Sequence, residues 1–147
     1  SVEPVLETAK RFKSNGIHVE VTNLIIPDMN DGEEDLRKLC EWVAENLGEN
    51  TPIHFSAYHP DYKMPSEKRT PLETLSKAYE IAKEAGIYYP YIGNIRSGKG
   101  GNTYCPNCGE LLLTRAGFSV RKKQLNEDQK CENCGYDLSE DIKGAIR

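Results

Sequence analysis

A chain of 147 residues, 37% hydrophobic and 29% charged, has room for one ordinary domain plus a small one and the balance of a globular protein rather than a disordered one. No apolar run approaches the ~20 residues of a membrane span, and no basic segment followed by an apolar one opens the chain as a secretory signal would. The formal net charge of −4 lies in the first hundred residues, since residues 101–147 hold seven basic and seven acidic side chains; without a basic face, nucleic acid is disfavoured as a partner, and only Arg121–Lys123 is suggestive.

The opening "SVEPVLETAKRFKSNG" reads as a helix over residues 3–15, with Val5, Ala9 and Phe12 on one face and Gly16 as its stop. Ser1 stands where a start methionine would, so a piece of a longer protein is expected. "IHVEVTNLIIP" is rich in β-branched residues and predicts a strand ending at Pro27. An acidic turn, "DMNDGEEDL", leads into a helix with Leu36, Leu39, Cys40, Val43 and Leu47 at helical spacing, closed by Gly48. "PIHFSAYH" is the next strand. Thr70-Pro71-Leu72-Glu73 has the form of a capping box, and Leu72, Leu75, Tyr79 and Ala82 continue it as an apolar stripe up to Gly86. "IYYPYIGNI" predicts a third strand, weakened by Pro90.

The order is helix, strand, three times over. Parallel strands joined by crossover helices are the economical packing for it, and three units are too few to close a barrel. "RSGKGGN" is expected to link residues 1–98 to a second domain at 99–147. It lacks the G-x-x-x-x-G-K-[ST] pattern of a phosphate loop.

The second domain carries Cys105-x-x-Cys108 and Cys131-x-x-Cys134. Each pair can face one ion across a tight turn, and Gly109 and Gly135 supply backbone freedom after the second cysteine. The intervening "LLLTRAGFSVRKKQ" can form a hairpin. A domain of this size buries too little core to fold unaided, so a metal staple has a physical purpose. Four thiolates make a closed structural zinc site, and one iron or an iron–sulfur cluster are the rival occupants. Two disulfides or four thiols are the bland alternatives. A site with four protein ligands has no open position for catalysis. Paired cysteines with Cys40 left over suit a reducing, cytoplasmic setting.

In such a sheet the functional loops lie at the carboxyl ends of the strands. Three qualify: "PDMNDG" with Asp28, Asn30 and Asp31; "HPDYKMPSEKR" with His59, Asp61, Tyr62 and Lys63; and "GNIRSG" with Asn94 and Arg96. The bland reading of the first is turn chemistry and an N-cap, and of the third a linker. The second is long for its kind of connection, which favours function, though a surface histidine is an equal reading of His59. Cys40 reads as a buried small hydrophobe. His54 and Phe55 should point to opposite faces of their strand. No nucleophile triad or H-E-x-x-H is present.

Together, "HVEVTNLIIPDMND", "HFSAYHPDYKM", "TPLETLSKAYEIAKEAG" and "NTYCPNCGELL…CENCG" resemble the C-terminal half of a radical S-adenosylmethionine enzyme, in particular the pyruvate formate-lyase activating enzyme-like group of the AmmeMemoRadiSam subclass. The likeness covers nearly the whole chain. It implies the C-terminal part of a partial (β/α)6 TIM-type barrel followed by a small β-rich zinc ribbon. It also implies an activity in which a [4Fe-4S] cluster cleaves S-adenosylmethionine to a 5′-deoxyadenosyl radical that abstracts hydrogen from a protein or small-molecule substrate. "AYH" places His59 where the family's "PYH" histidine touches S-adenosylmethionine, whereas Thr22 stands at the family's arginine position. The family's C-x-x-x-C-x-x-C is absent, so the cluster ligands and the N-terminal barrel half are expected outside this chain, which should be inactive alone. The alternative is a non-enzymatic zinc-ribbon protein that docks a protein or nucleic-acid partner.

Overall fold

The computed structural model describes residues 1–117, 119–139 and 141. It is an α/β structure with two compact units: Val19–Gly100, and Ser1–His18 with Gly101–Arg147. The opening helix is thus grouped by its contacts with the cysteine-bearing tail.

In the first unit, strands β1 (Val21–Ile25), β2 (Ile53–Ala57) and β3 (Pro90–Gly93) form a parallel sheet in the order β1-β2-β3. Helices α2 (Glu33–Leu47) and α3 (Leu72–Glu84) are the crossovers. Val21, Thr22, Asn23, Leu24 and Ile25 lie opposite Ile53, His54, Phe55, Ser56 and Ala57. His54 and Ser56 lie in turn opposite Tyr91 and Gly93. Because side chains alternate, Ile25, Ile53, Phe55, Ala57 and Ile92 go to one buried face. That face meets Leu75, Ala78, Ile81 and Ala82 of α3, and α3 packs in turn on α2 with its buried Leu36, Cys40, Val43 and Leu47. The other face carries the rows Thr22–His54–Tyr91 and Leu24–Ser56–Gly93 and is half-exposed or exposed. Parallel sheets are ordinarily covered on both faces, so this one-sided burial is the unit's distinctive feature.

Several elements differ from expectation. β1 stops at Ile25, not Pro27, for a reason given by Asn30 below. β3 begins at Pro90, a position where a strand tolerates the missing N–H. The α3 face is rotated: Ala78 and Ile81 are buried, while Tyr79 is half-exposed, because two alanines let the helix approach the sheet. The "GKGG" stretch is a 3-10 turn, Gly98–Gly101, and the boundary between the two units falls within it. A Cβ on Gly100 would lie 2.6 Å from Ile92 Cδ1, so only glycine fits there.

In the second unit, helix α1 spans Glu3–Ser14, with Val5 and Phe12 exposed. Strands β4 (Thr103–Tyr104), β5 (Leu111–Ala116) and β6 (Ser119–Lys122) form an antiparallel sheet in that order. β5 and β6 are the hairpin expected between the cysteine pairs. Leu112, Leu113, Leu125 and Leu138 are buried around it. Arg115 fastens β5 to the start of β4 and to the residue before it, donating from its guanidinium to Thr103 Oγ1 at 2.7 Å and from its backbone to Asn102 Oδ1 at 3.1 Å.

Candidate metal centre and strand-end loops

The two cysteine pairs are built alike. Each reads C-x-N-C-G, a repeat finer than the C-x-x-C spacing alone. Gly109 N–H donates to Cys105 O at 2.9 Å, and Gly135 N–H to Cys131 O at 2.8 Å. Both glycines have positive φ, 74° and 76°, which a side chain at those positions would resist. Each knuckle enters from an equivalent bond, Cys105 N–H to Glu110 O at 2.8 Å and Cys131 N–H to Tyr136 O at 2.9 Å. The pairs then interleave. Cys105 Sγ is 3.6 Å from Cys134 Sγ, and Cys108 Sγ is 3.7 Å from Cys131 Sγ. All four sulfurs lie within 4.8 Å of one another, so they can hold a metal ion. These separations are far beyond the ~2.05 Å of a disulfide bond.

The four thiols are electrostatically unequal. Burial pushes Cys105 up to about 12 and raises Cys131, although backbone N–H groups in each knuckle oppose this. Cys134 is brought down to about 6, chiefly by a hydrogen bond from the Asn107 side chain and then by the Tyr136 backbone. Asn107, between the ligands of the other knuckle, thus prepares a thiolate across the site. Metal binding requires all four thiolates, so each sulfur that still carries a proton gives it up on loading.

At the carboxyl end of the parallel sheet, the three expected loops converge in one unit. Each holds a non-glycine residue at positive φ: Asp28 at 64°, Tyr62 at 48° and Asn94 at 61°. Such residues are uncommon and concentrate at functional sites. His59 is exposed two residues past β2, its Nδ1 2.9 Å from Pro60 O. Asp61 accepts the Tyr62 N–H at 2.7 Å, and Lys63 sits 5.3 Å from the Tyr62 ring centre. Asp28 pairs loosely with Lys68 at 3.7 Å, joining the first two loops. Asn94 reaches Ala57 O at 3.4 Å.

Two side chains do the work of backbone at this end. The next rung of the β1–β2 ladder would run from Tyr58 N–H to Ile25 O. The Thr70 hydroxyl is inserted there, accepting from Tyr58 N–H at 2.8 Å and donating to Ile25 O at 2.5 Å. This corrects the capping-box expectation, since α3 has no side-chain cap and Thr70 is buried between strands. On the opposite side of β1, the Asn30 carboxamide accepts from Ile26 N–H at 2.7 Å and donates to Leu24 O at 3.0 Å. Those bonds end the strand before Pro27.

Farther down the open face, His54 Nε2 lies 2.7 Å from Glu20 Oε2, and its ring stacks on Tyr91 with centroids 5.1 Å apart. Phe55 is therefore the core-facing member of the His54–Phe55 pair, at 0% exposure. Cys40 is buried on α2, and burial pushes its thiol up to about 11, as suits an inert packing residue.

No family model matches the chain. It is similar to Uncharacterized protein MJ0808 of Methanocaldococcus jannaschii, with 49% identity over 136 residues. The match covers 92% of this chain and 41% of the relative, so the chain spans about two fifths of that protein's length. No helix among the described residues is long and apolar enough to cross a membrane.

The sequence alone singled out the four cysteines that the structure brings together, and it named His59 and the three loops as candidates. It missed Thr70, Asn30 and Asn107 in their roles here, and the Glu20–His54–Tyr91 group. For Asn107 a signal existed, since Asn107 and Asn133 occupy the same place in the two C-x-N-C-G segments.

Proposed function

We propose that this chain is the C-terminal portion of a radical S-adenosylmethionine enzyme resembling pyruvate formate-lyase activase, with residues 1–98 as part of a partial (β/α)6 barrel and residues 99–147 as a zinc ribbon. The observation that carries this reading is the one-sided sheet. Its buried face meets helices, and its open face bears Thr22, His54, Ser56 and Tyr91 together with Leu24, as the wall of a barrel lumen would. The three strand-end loops, with left-handed Asp28, Tyr62 and Asn94, lie at the end where such barrels keep their sites. His59, in the longest of them, is the residue assigned to S-adenosylmethionine.

The metal of the four cysteines is zinc in this reading. Tetrahedral thiolates at ~2.3 Å from one ion are ~3.8 Å apart, close to the 3.6 and 3.7 Å found here. Zinc in this cage is structural, because all four positions are filled by protein. The [4Fe-4S] cluster of the parent reaction does not fit this chain. Apart from the four ligands the sequence has only Cys40, which is buried on α2. The chain's contribution is therefore to bind and enclose, and the radical-forming centre belongs to the polypeptide that supplies the N-terminal barrel half.

The test uses the protein together with the polypeptide encoded upstream of Ser1. After anaerobic reconstitution with iron and sulfide and reduction with dithionite, it should convert S-adenosylmethionine to 5′-deoxyadenosine. His59→Ala should weaken S-adenosylmethionine binding roughly tenfold, about the worth of one hydrogen bond. Absence of 5′-deoxyadenosine from a protein loaded with cluster sinks the enzymatic reading. Elemental analysis that finds iron and no zinc in the 147-residue chain sinks the zinc assignment.

A further inference from the structure

β1 is an edge of its sheet, with β2 on one side and no described strand on the other. Peptide groups of a parallel ladder alternate in direction. Val21 N–H donates toward β2, to Pro52 O at 2.9 Å, so the groups of Val21, Asn23 and Ile25 face β2. Those of Thr22, Leu24 and Ile26 face the open side. A residue of a neighbouring parallel strand opposite Ile25 would donate its N–H to Leu24 O and accept the N–H of Ile26. The Asn30 carboxamide, which has the donor and acceptor of a peptide group, makes those two bonds. It occupies the top rung of the open edge. Among the described residues no side chain takes the rung below, Thr22 C=O and Leu24 N–H, which faces outward.

The other edge is less suited to a partner. β3 has four residues and begins with Pro90, which has no N–H to give. β1 has no proline, and its Leu24 is 44% exposed. Spatial order follows chain order in β1-β2-β3, and a helix precedes each strand in sequence. Carried one step back, that progression places a preceding strand beside β1. The relative that matches 92% of this chain is more than twice its length, which leaves ample polypeptide to provide one.

We propose that β1 receives a parallel strand from the rest of the protein at the Thr22–Leu24 rung, and that Asn30 sets where this pairing stops. The incoming strand ends its ladder one rung short of the β1 carboxyl end, and the loops above are kept apart from it. This rests on the barrel part of the function proposed above and not on its radical chemistry.

The test compares amide exchange in the 147-residue chain with that in the protein carrying its upstream polypeptide. Leu24 N–H should exchange rapidly in the first and about a hundredfold or more slowly in the second, with the β3 amides unchanged. In the longer protein Asn30→Ala should release the Ile26 N–H while Leu24 stays slow. Three results overturn the proposal: a Leu24 amide equally fast in both proteins; a Leu24 amide slowed in the short chain as its concentration rises, which makes a second copy the occupant; or an Ile26 amide that stays slow in Asn30→Ala, because a strand then reaches the top rung. Slowing of Leu24 in a protein that makes no 5′-deoxyadenosine supports the edge and sinks only the enzymatic reading.

Discussion

Replacing Thr70 by valine removes one hydroxyl and keeps the side chain's volume. That hydroxyl bridges Tyr58 N–H and Ile25 O in a buried position, at 2.8 and 2.5 Å. Valine leaves both groups without a partner, at about 1–3 kcal/mol each, offset by ~0.8 kcal/mol for an added apolar group. The expected loss is ~2–4 kcal/mol. Thr70→Ser keeps the bridge and loses only a methyl, about 1 kcal/mol with its small cavity. The order threonine, serine, valine therefore puts last the residue that hydrophobicity alone would put first. Trp42 is the single tryptophan and lies on α2, so its fluorescence in urea follows the Val19–Gly100 unit by itself. The valine midpoint should fall by roughly 2–4 M, since a unit this small changes by about 1 kcal/mol per M. A valine variant as stable as the wild type, or more stable than the serine variant, would mean that Tyr58 N–H closes directly onto Ile25 O. The inserted hydroxyl would then contribute nothing.

Gly100→Ala should cost about 1–3 kcal/mol in the same assay, because its Cβ meets Ile92 at 2.6 Å. Gly98→Ala, with open space but φ of 55°, should cost about 1 kcal/mol through strain alone; equal costs would contradict the packing account. Cys108→Ser should take the metal content of the chain from one ion toward none and speed amide exchange in β5 and β6, with Trp42 unfolding unchanged; retained stoichiometry would remove Cys108 from the ligand set. Burial raises the Cys40 thiol from 9.0 to about 11, so the fold favours its neutral form. Its contribution is complete below about pH 9 and is lost as pH rises toward 11, by at most ~2–3 kcal/mol and less where water screens it. Cys40→Ala should lack that loss, so the stability gap between the two proteins narrows between pH 8 and pH 11; a gap independent of pH counts against a buried thiol.

What could be read from the sequence was local. The cysteine pairs declare themselves because the same three-residue step occurs twice, and the helices because Leu36, Cys40, Val43 and Leu47 repeat with the helical turn. Thr70 was misread for the same reason. Thr-Pro-Leu-Glu is a helix start in any local view, while the partner that claims its hydroxyl, Ile25, lies 45 residues earlier. Asn30 looked like turn chemistry, and it is that, but its two bonds gain a further meaning only when β1 is known to be an edge. The α3 face was displaced because Tyr79 is the larger apolar residue, yet Ala78 and Ala82 are the ones a close sheet can accept. Gly100 stood out only as part of a glycine-rich linker, whereas its place is set by close approach to Ile92.

The Thr70 bridge has a consequence for the loop it closes. Thr70 N–H donates to Tyr58 O at 3.2 Å while its hydroxyl takes Tyr58 N–H, so the two ends of the loop are bonded to each other as well as to β1. Inside it, Tyr58 Oη donates to Met64 O at 2.6 Å and Met64 N–H to Asp61 O at 3.0 Å. Residues 59–69 thus form a closed excursion with its own internal ties, of the kind that surface Ω-loops use. It is in effect an exchangeable cassette. Its residues can be swapped, lengthened or shortened at little cost in loop entropy, because the sheet senses only the two anchors. The fold and whatever His59 meets can therefore vary independently, with Tyr58 and Thr70 as the seam between them.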